Sequence, residues 1–149
     1  MSSTKDSYDL NRFLEAQAAN YEQALAELRA GRKRSHWSWY ILPQIQGLGA
    51  SQMAVRYAIS GLSEAMAYLA HPVLGARLRE CIAAMNAHAG QSAAAILGDI
   101  DAKKFRSCVT LFAQVAESDS PFHVALARYF CGVEDPATIA TLARQTEAR

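Results

Sequence analysis

Apolar side chains recur at spacings of three and four along most of the chain. The first such stripe is Leu10, Phe13, Leu14, Ala18, Tyr21, Leu25 and Leu28, with Arg12, Glu15, Glu22 and Glu27 off it. This predicts an amphipathic helix over 10–30, capped at its start by Asp9 and ended by Gly31. Gln17 lies inside the stripe, and a buried amide there must find partners or cost ~1–3 kcal/mol. Ser35 opens a second predicted helix through Leu42, stopped by Pro43, with a loop over 43–49. Ser51 opens a third through Met53, Val55, Tyr57 and Ile59, and Ser63 a fourth through Met66 and Leu69.

Pro72, Pro121 and Pro136 each suit the first position of a helix, where a missing N–H costs nothing. From Pro72 the stripe Val73, Leu74, Leu78, Ile82, Met85 runs toward Gly90. A short helix over 92–97 closes at Gly98, and Asp99 or Asp101 caps another that carries Phe105, Cys108, Val109, Leu111, Phe112 and Val115. Segments 121–131, closed by Gly132, and 136–146 complete the set. No stretch longer than four residues alternates at the strand period, and Asn-Gly and Asp-Gly turns are absent. The expectation is an all-α protein: one compact domain of six to eight helices with short loops over 9–146, a flexible terminus over 1–8 and a frayed end over 147–149.

Composition narrows the class further. The chain has 149 residues, 51% hydrophobic and 19% charged, with a formal net charge of +1, which suits one ordered domain rather than a disordered chain. So small a charge gives no global attraction to nucleic acid or anionic lipid. Cys81, Cys108 and Cys131 form no CxxC pair, and no apolar run approaches the roughly 20 residues of a membrane span. The polar start carries no signal-peptide pattern, so the expected location is the cytoplasm, with no membrane partner.

Candidate chemistry concentrates in 29–44, where Arg29, Arg32, Lys33 and Arg34 precede His36, Trp37, Trp39, Tyr40 and Gln44. Both tryptophans of the chain fall here. On a helix from Ser35, His36, Trp39 and Tyr40 share one face and Trp37 and Ile41 the next, so one face enters the core and the other lines a cleft. Lys33 and Arg34 then stand near a helix start that favours an anion. Rings for stacking, worth ~1–3 kcal/mol per base, and cations for phosphate are how proteins hold nucleotides. The plainer reading makes the tryptophans core anchors and the basic run a solvated helix end.

A polar stripe of Asp101, Lys104, Ser107 and Thr110 runs opposite Phe105, Val109 and Phe112. Such a stripe is ordinarily a wet face, yet Ser107 and Thr110 are short and uncharged and suit a pocket wall opposite the tryptophan segment. His71 reads as a helix cap before Pro72 and His88 as solvent-facing near a helix end. Cys81 and Cys108 read as small buried hydrophobes. No HExxH, metal-ligand spacing or paired-carboxylate motif occurs, so neither a metal nor a cofactor is expected.

Four strings carry a family resemblance: DLNRFLEAQ (9–17), GRKRSHWSWYILPQIQGLG (31–49), YLAHPVLGARLRE (68–80) and KFRSCVTLF (104–112). They resemble the bacterial family named domain of unknown function 1810, whose pattern GxKxxHWxWxxxPQ, YLxHPxLxxRL, KxxSSxTLF is met over about 9–142. Gly31, Lys33, His36, Trp37, Trp39, Pro43 and Gln44 match the first motif. His71, Pro72, Leu74, Arg77 and Leu78 match the second, and Lys104, Ser107, Thr110, Leu111 and Phe112 the third. Cys108 replaces the second serine, which removes a hydroxyl from that place. The resemblance implies a mainly helical single domain and no particular activity, substrate or cofactor. Some members carry the label calpastatin, but inhibitors of that name are rich in charge and proline, whereas this chain is half apolar with four prolines.

Three readings follow. In the first, a small anionic or nucleotide-like ligand, such as a phosphorylated metabolite, binds a pocket of Lys33, His36, Trp37, Trp39, Gln44, Lys104, Ser107 and Thr110. His36 is then the best candidate for an acid or base, and whether any reaction occurs stays open. In the second, 29–44 binds nucleic acid, a reading that near-neutral charge disfavours. In the third, the aromatic cluster is a protein-interaction or homodimer surface without catalysis; the oligomeric state is not legible.

Overall fold

The computed structural model describes residues 7–88 and 90–147. The segments 1–6 and 148–149, expected to be flexible and frayed, lie outside the described residues. The described residues form nine helices, against an expected six to eight: α1 (Asn11–Ala30), α2 (Ser38–Ile41), α3 (Gln52–Arg56), α4 (Leu62–Ala70), α5 (Leu74–Asn86), α6 (Ala93–Leu97), α7 (Asp99–Ala113), α8 (Pro121–Phe130) and α9 (Pro136–Glu147). Their only β pairing is an isolated parallel bridge between Ile45 and Ile59.

The centre of the domain is α7, which packs on α4, α6, α8 and α9, while α1 lies against α2 and α5. Its segment 107–113 is buried on every side, as a helix with almost no charge after its first turns must be. Its own Phe105 and Phe112 pack with Phe13, Tyr68 and Phe122 from neighbouring helices, with the Phe13 and Tyr68 rings edge to face at 5.0 Å. Cys81 and Cys108 are buried there, and burial pushes the Cys81 thiol up to about 12, which keeps it protonated.

Asp9 does not cap α1; it adopts φ 52°, and Leu10 precedes the helix without a side-chain cap. Arg12 secures this end of the helix in a different way. Its guanidinium donates to the carbonyls of Tyr8, Asp9, Arg56 and Ala58 and pairs with Glu64 at 2.8 Å, so a residue off the apolar stripe ties α1 to the approach to α4. Glu64 also accepts from Ser60 N and Oγ. Gln17 is buried and satisfied: it donates to Tyr40 O and Tyr68 Oη and accepts from Arg77.

Gly31 ends α1 at φ 76°. His88, expected in solvent, instead packs on this end: its Nε2 lies 2.7 Å from Leu28 O, an acceptor, so Nε2 carries the proton. A Cβ on Gly31 would stand 3.0 Å from the His88 ring. Gly31→Ala therefore combines left-handed strain with crowding, and urea denaturation should show a loss of about 1–2 kcal/mol.

Three helices are shorter than the apolar pattern predicts. Ser51 caps α3 through Ala54 N, yet α3 stops at Arg56: Tyr57 turns the chain out of the helix at φ −104° and ψ 13°, and buried Ile59 pairs with Ile45 instead. There Ile59 N donates to Gln44 O and Gln46 N to Ile59 O. In α5, Pro72 lies outside the helix and His71 Nδ1 accepts from Val73 N and Leu74 N, the capping role its sequence position suggests. The shortening of α2 belongs to the site.

Candidate functional site

Glu27 organises the segment between α1 and α2. Buried on α1, its carboxylate accepts from Arg34 N at 2.8 Å, Ser35 N at 3.0 Å, Ser35 Oγ at 2.8 Å and Trp37 Nε1 at 3.0 Å. Burial alone would raise its pKa, but these donors outweigh it and hold the carboxyl at about 2. Ser35 is thereby spent on Glu27 rather than on capping, and the helix begins only at Ser38. His36 and Tyr40 consequently do not share a face: His36 is exposed and Tyr40 buried.

Lys33 N donates to Ile96 O at 2.8 Å, which fastens this segment to α6 and brings it against the first turn of α7. Between them lies an open cleft of about 520 Å³, lined by Lys33, His36, Trp37, Ser38, Trp39, the turn 97–99, Ile100, Asp101 and Lys104. Trp37 is 1% exposed and is a core anchor that shows the cleft only its ring. Trp39 is half-buried and forms the side wall.

The charges in the cleft are interlocked. Lys33, 7% exposed, has its Nζ 4.9 Å from the centre of a Trp37 ring and 2.9 Å from Asp101 Oδ2, and it donates to Ser35 O. Lys104, 25% exposed, has its Nζ 5.1 Å over the Trp39 ring and 3.5 Å from Asp101 Oδ1. Burial opposes the Asp101 charge, but Lys33 and Lys104 overcome it and hold the carboxyl below its usual range. Ser38 Oγ is buried and makes no hydrogen bond of ordinary geometry, though it lies close enough to Asp101 to favour its ionised form. The start of α7 lacks a side-chain cap, and its first residues, Asp99, Ile100 and Asp101, line the same hollow.

Five of the eight expected pocket residues thus meet here: Lys33, His36, Trp37, Trp39 and Lys104. The other three do not. Gln44 lies beyond the proline, where its carbonyl pairs with Ile59 N. Ser107 Oγ donates to Asp135 Oδ2 at 2.9 Å and Thr110 Oγ1 accepts from Asp135 N at 2.9 Å, so this pair fixes the start of α9 instead of a pocket wall. One helical turn explains the difference: Lys104 is at the cleft, and the stripe has by then turned beneath α9. Ser38 and the 98–100 turn were not foreseen; the glycine followed by two acids around Ile100 was the available signal.

The basic run does not form one surface. Lys33 is buried in its ion pair, Arg29 is exposed on the last turn of α1 but paired with Glu80 at 3.1 Å, and Arg32 and Arg34 are exposed on the loop that follows. His36 makes no hydrogen bond, so nothing orients its ring as a paired base would be. Two hollows of about 580 Å³ beside α9 are lined by uncharged residues apart from Arg144 and carry less chemistry. Among the described residues no group of three His, Cys, Asp or Glu could hold a metal, and no helix is long and apolar enough to cross a membrane.

An all-helical single domain with a charge-balanced, tryptophan-walled cleft is the class these observations define. The chain belongs to the family described as protein of unknown function DUF1810, which matches residues 7–142. It is similar to the crystal structure of the conserved hypothetical protein Rv1873 from Mycobacterium tuberculosis, with 49% identity and a TM-score of 0.90 over 93% of this chain and 99% of that one. No curated protein matches it.

Proposed function

We propose that the protein binds a small nucleotide-like ligand, a planar ring bearing an anionic group, in the cleft between α2 and α7. The observation that carries this reading is the position of Lys104, whose ammonium rests on the half-open Trp39 face beside the uncapped start of α7. A ring can take that face by stacking, and the released ammonium with the α7 amides can meet the anion. Lys33 is not the anion contact, because its charge is already spent on Asp101. The dispersal of the basic run favours this reading over nucleic-acid binding, which needs a continuous track of cations.

Thermal unfolding with a panel of nucleoside mono- and diphosphates tests the reading. A ligand at a hundred times its Kd adds about 2.7 kcal/mol, a rise of several degrees for a chain this size. The wild type should shift, and Trp39→Ala and Lys104→Ala, both at the cleft mouth, should lose at least tenfold in affinity while melting as cooperatively as the parent. A panel that shifts none of the three proteins, or shifts all three alike, would overturn it.

A further inference from the structure

Asp101 has two unlike oxygens. Oδ2 is held at 2.9 Å by a buried ammonium, whereas Oδ1 has Lys104 at a looser 3.5 Å, from the end of a partly exposed side chain, and the Ser38 hydroxyl lies close to the same carboxylate. Lys104 Nζ is at the same time the group lying on the Trp39 ring. One point in the cleft therefore offers an aromatic face and an ionised carboxylate together, and an N–H donor of the chain's own occupies it. With Asp99 and Asp101 facing Lys33 and Lys104, the cleft carries two charges of each sign, so a bare anion gains little there. A ligand with a donor edge and an anionic group matches both signs.

Resting on the nucleotide-like reading above, we infer that Asp101 is the specificity residue: it selects ring systems that present an N–H edge, as aminopurine bases do, in the place Lys104 Nζ now fills. The ring stacks on Trp39 and its amino or ring N–H donates to Asp101 Oδ1. Lys104 swings toward the anionic group, while the buried Ser38 hydroxyl stays beside Asp101 and favours its ionised form. A carboxylate built to accept such a bond rejects an analogue that lacks the donor, because the acceptor is then desolvated without a partner.

Calorimetric titration with adenosine, guanosine and purine-riboside 5′-monophosphates tests this. Purine riboside keeps the ring, sugar and phosphate but lacks the exocyclic amino group. The wild type should bind an amino-bearing nucleotide at least tenfold more tightly than the purine-riboside compound, and Asp101→Asn should reduce that ratio at least threefold. Because Asp101→Asn leaves Lys33 buried without its counter-ion, the double variant Lys33→Met/Asp101→Leu is measured beside it; an apolar pair of similar volume keeps the fold, and the ratio should vanish. Equal wild-type affinities for all three compounds, with Trp39→Ala still abolishing binding, would overturn the role of Asp101 and leave the cleft reading standing. A preference that persists in the folded double variant would overturn it too, and no binding by any of the three would remove both.

Discussion

Gly75→Ala is expected to be the most damaging single methyl in the molecule, with a loss of about 3 kcal/mol or more in urea denaturation. A Cβ at that position would stand 2.1 Å from Leu69 O and 2.8 Å from Leu69 C, and both are backbone atoms that no rotamer can move away. Gly75 lies in the first turn of α5, its N–H bonded to His71 O, where the chain folds back on the last turn of α4. Accommodating the methyl means parting α4 from α5, and with them the buried Tyr68, Leu74 and Leu78. Gly132→Ala is the matched control. Gly132, unlike Gly75, has positive φ, but nothing lies within 4 Å of its added Cβ, so the loss should be about 1 kcal/mol from strain alone. Equal losses at the two positions would contradict the close approach of α4 and α5.

The second large effect is at Glu27. Glu27→Leu removes the acceptor of Arg34 N, Ser35 N and Oγ, and Trp37 Nε1 together, leaving buried donors unpaired, and the expected loss is about 3 kcal/mol. The same carboxylate gives the protein an acid limit. Its folded pKa of about 2 is below the ordinary 4.5, so the unfolded chain binds the proton more readily. The stabilisation is complete above about pH 5, falls as pH drops below 4.5 and is gone once pH passes through 2; the 2.5-unit interval corresponds to about 3 kcal/mol. Denaturation midpoints between pH 6 and 2.5 should decline more steeply in the wild type than in Glu27→Leu. Parallel slopes would place the Glu27 carboxylate elsewhere.

The helices were legible where one period held over several turns, as in α1, α7, α8 and α9. They were overextended where a side chain or a change of period intervened. Ser51 announced α3 correctly, but Val55, Tyr57 and Ile59 are spaced by two and do not share a helix face, and the chain leaves the helix there so that Ile59 pairs with 44–46. Ser35 looked like a cap until Glu27, eight residues earlier, took both its N–H and its hydroxyl. The segment that sets tryptophan beside lysine does line a cleft, and Lys104 meets it there from α7. Ser107 and Thr110 shared the stripe of Lys104, but which neighbour covers each turn of a helix is a tertiary fact, and α9 covers theirs. That Lys33 is consumed by Asp101 was equally beyond sequence, since the partners lie 68 residues apart.

The central claim is that a ring displaces Lys104 from the Trp39 face, and intrinsic fluorescence tests it most directly, because the chain has two tryptophans and only Trp39 is open to the cleft mouth. Titration with adenosine or guanosine 5′-monophosphate should quench the wild type saturably. Trp39→Phe, which keeps Trp37 as the sole emitter, should bind by calorimetry with little quenching. Quenching of equal depth in Trp39→Phe, or none in the wild type at saturating nucleotide, would contradict the account.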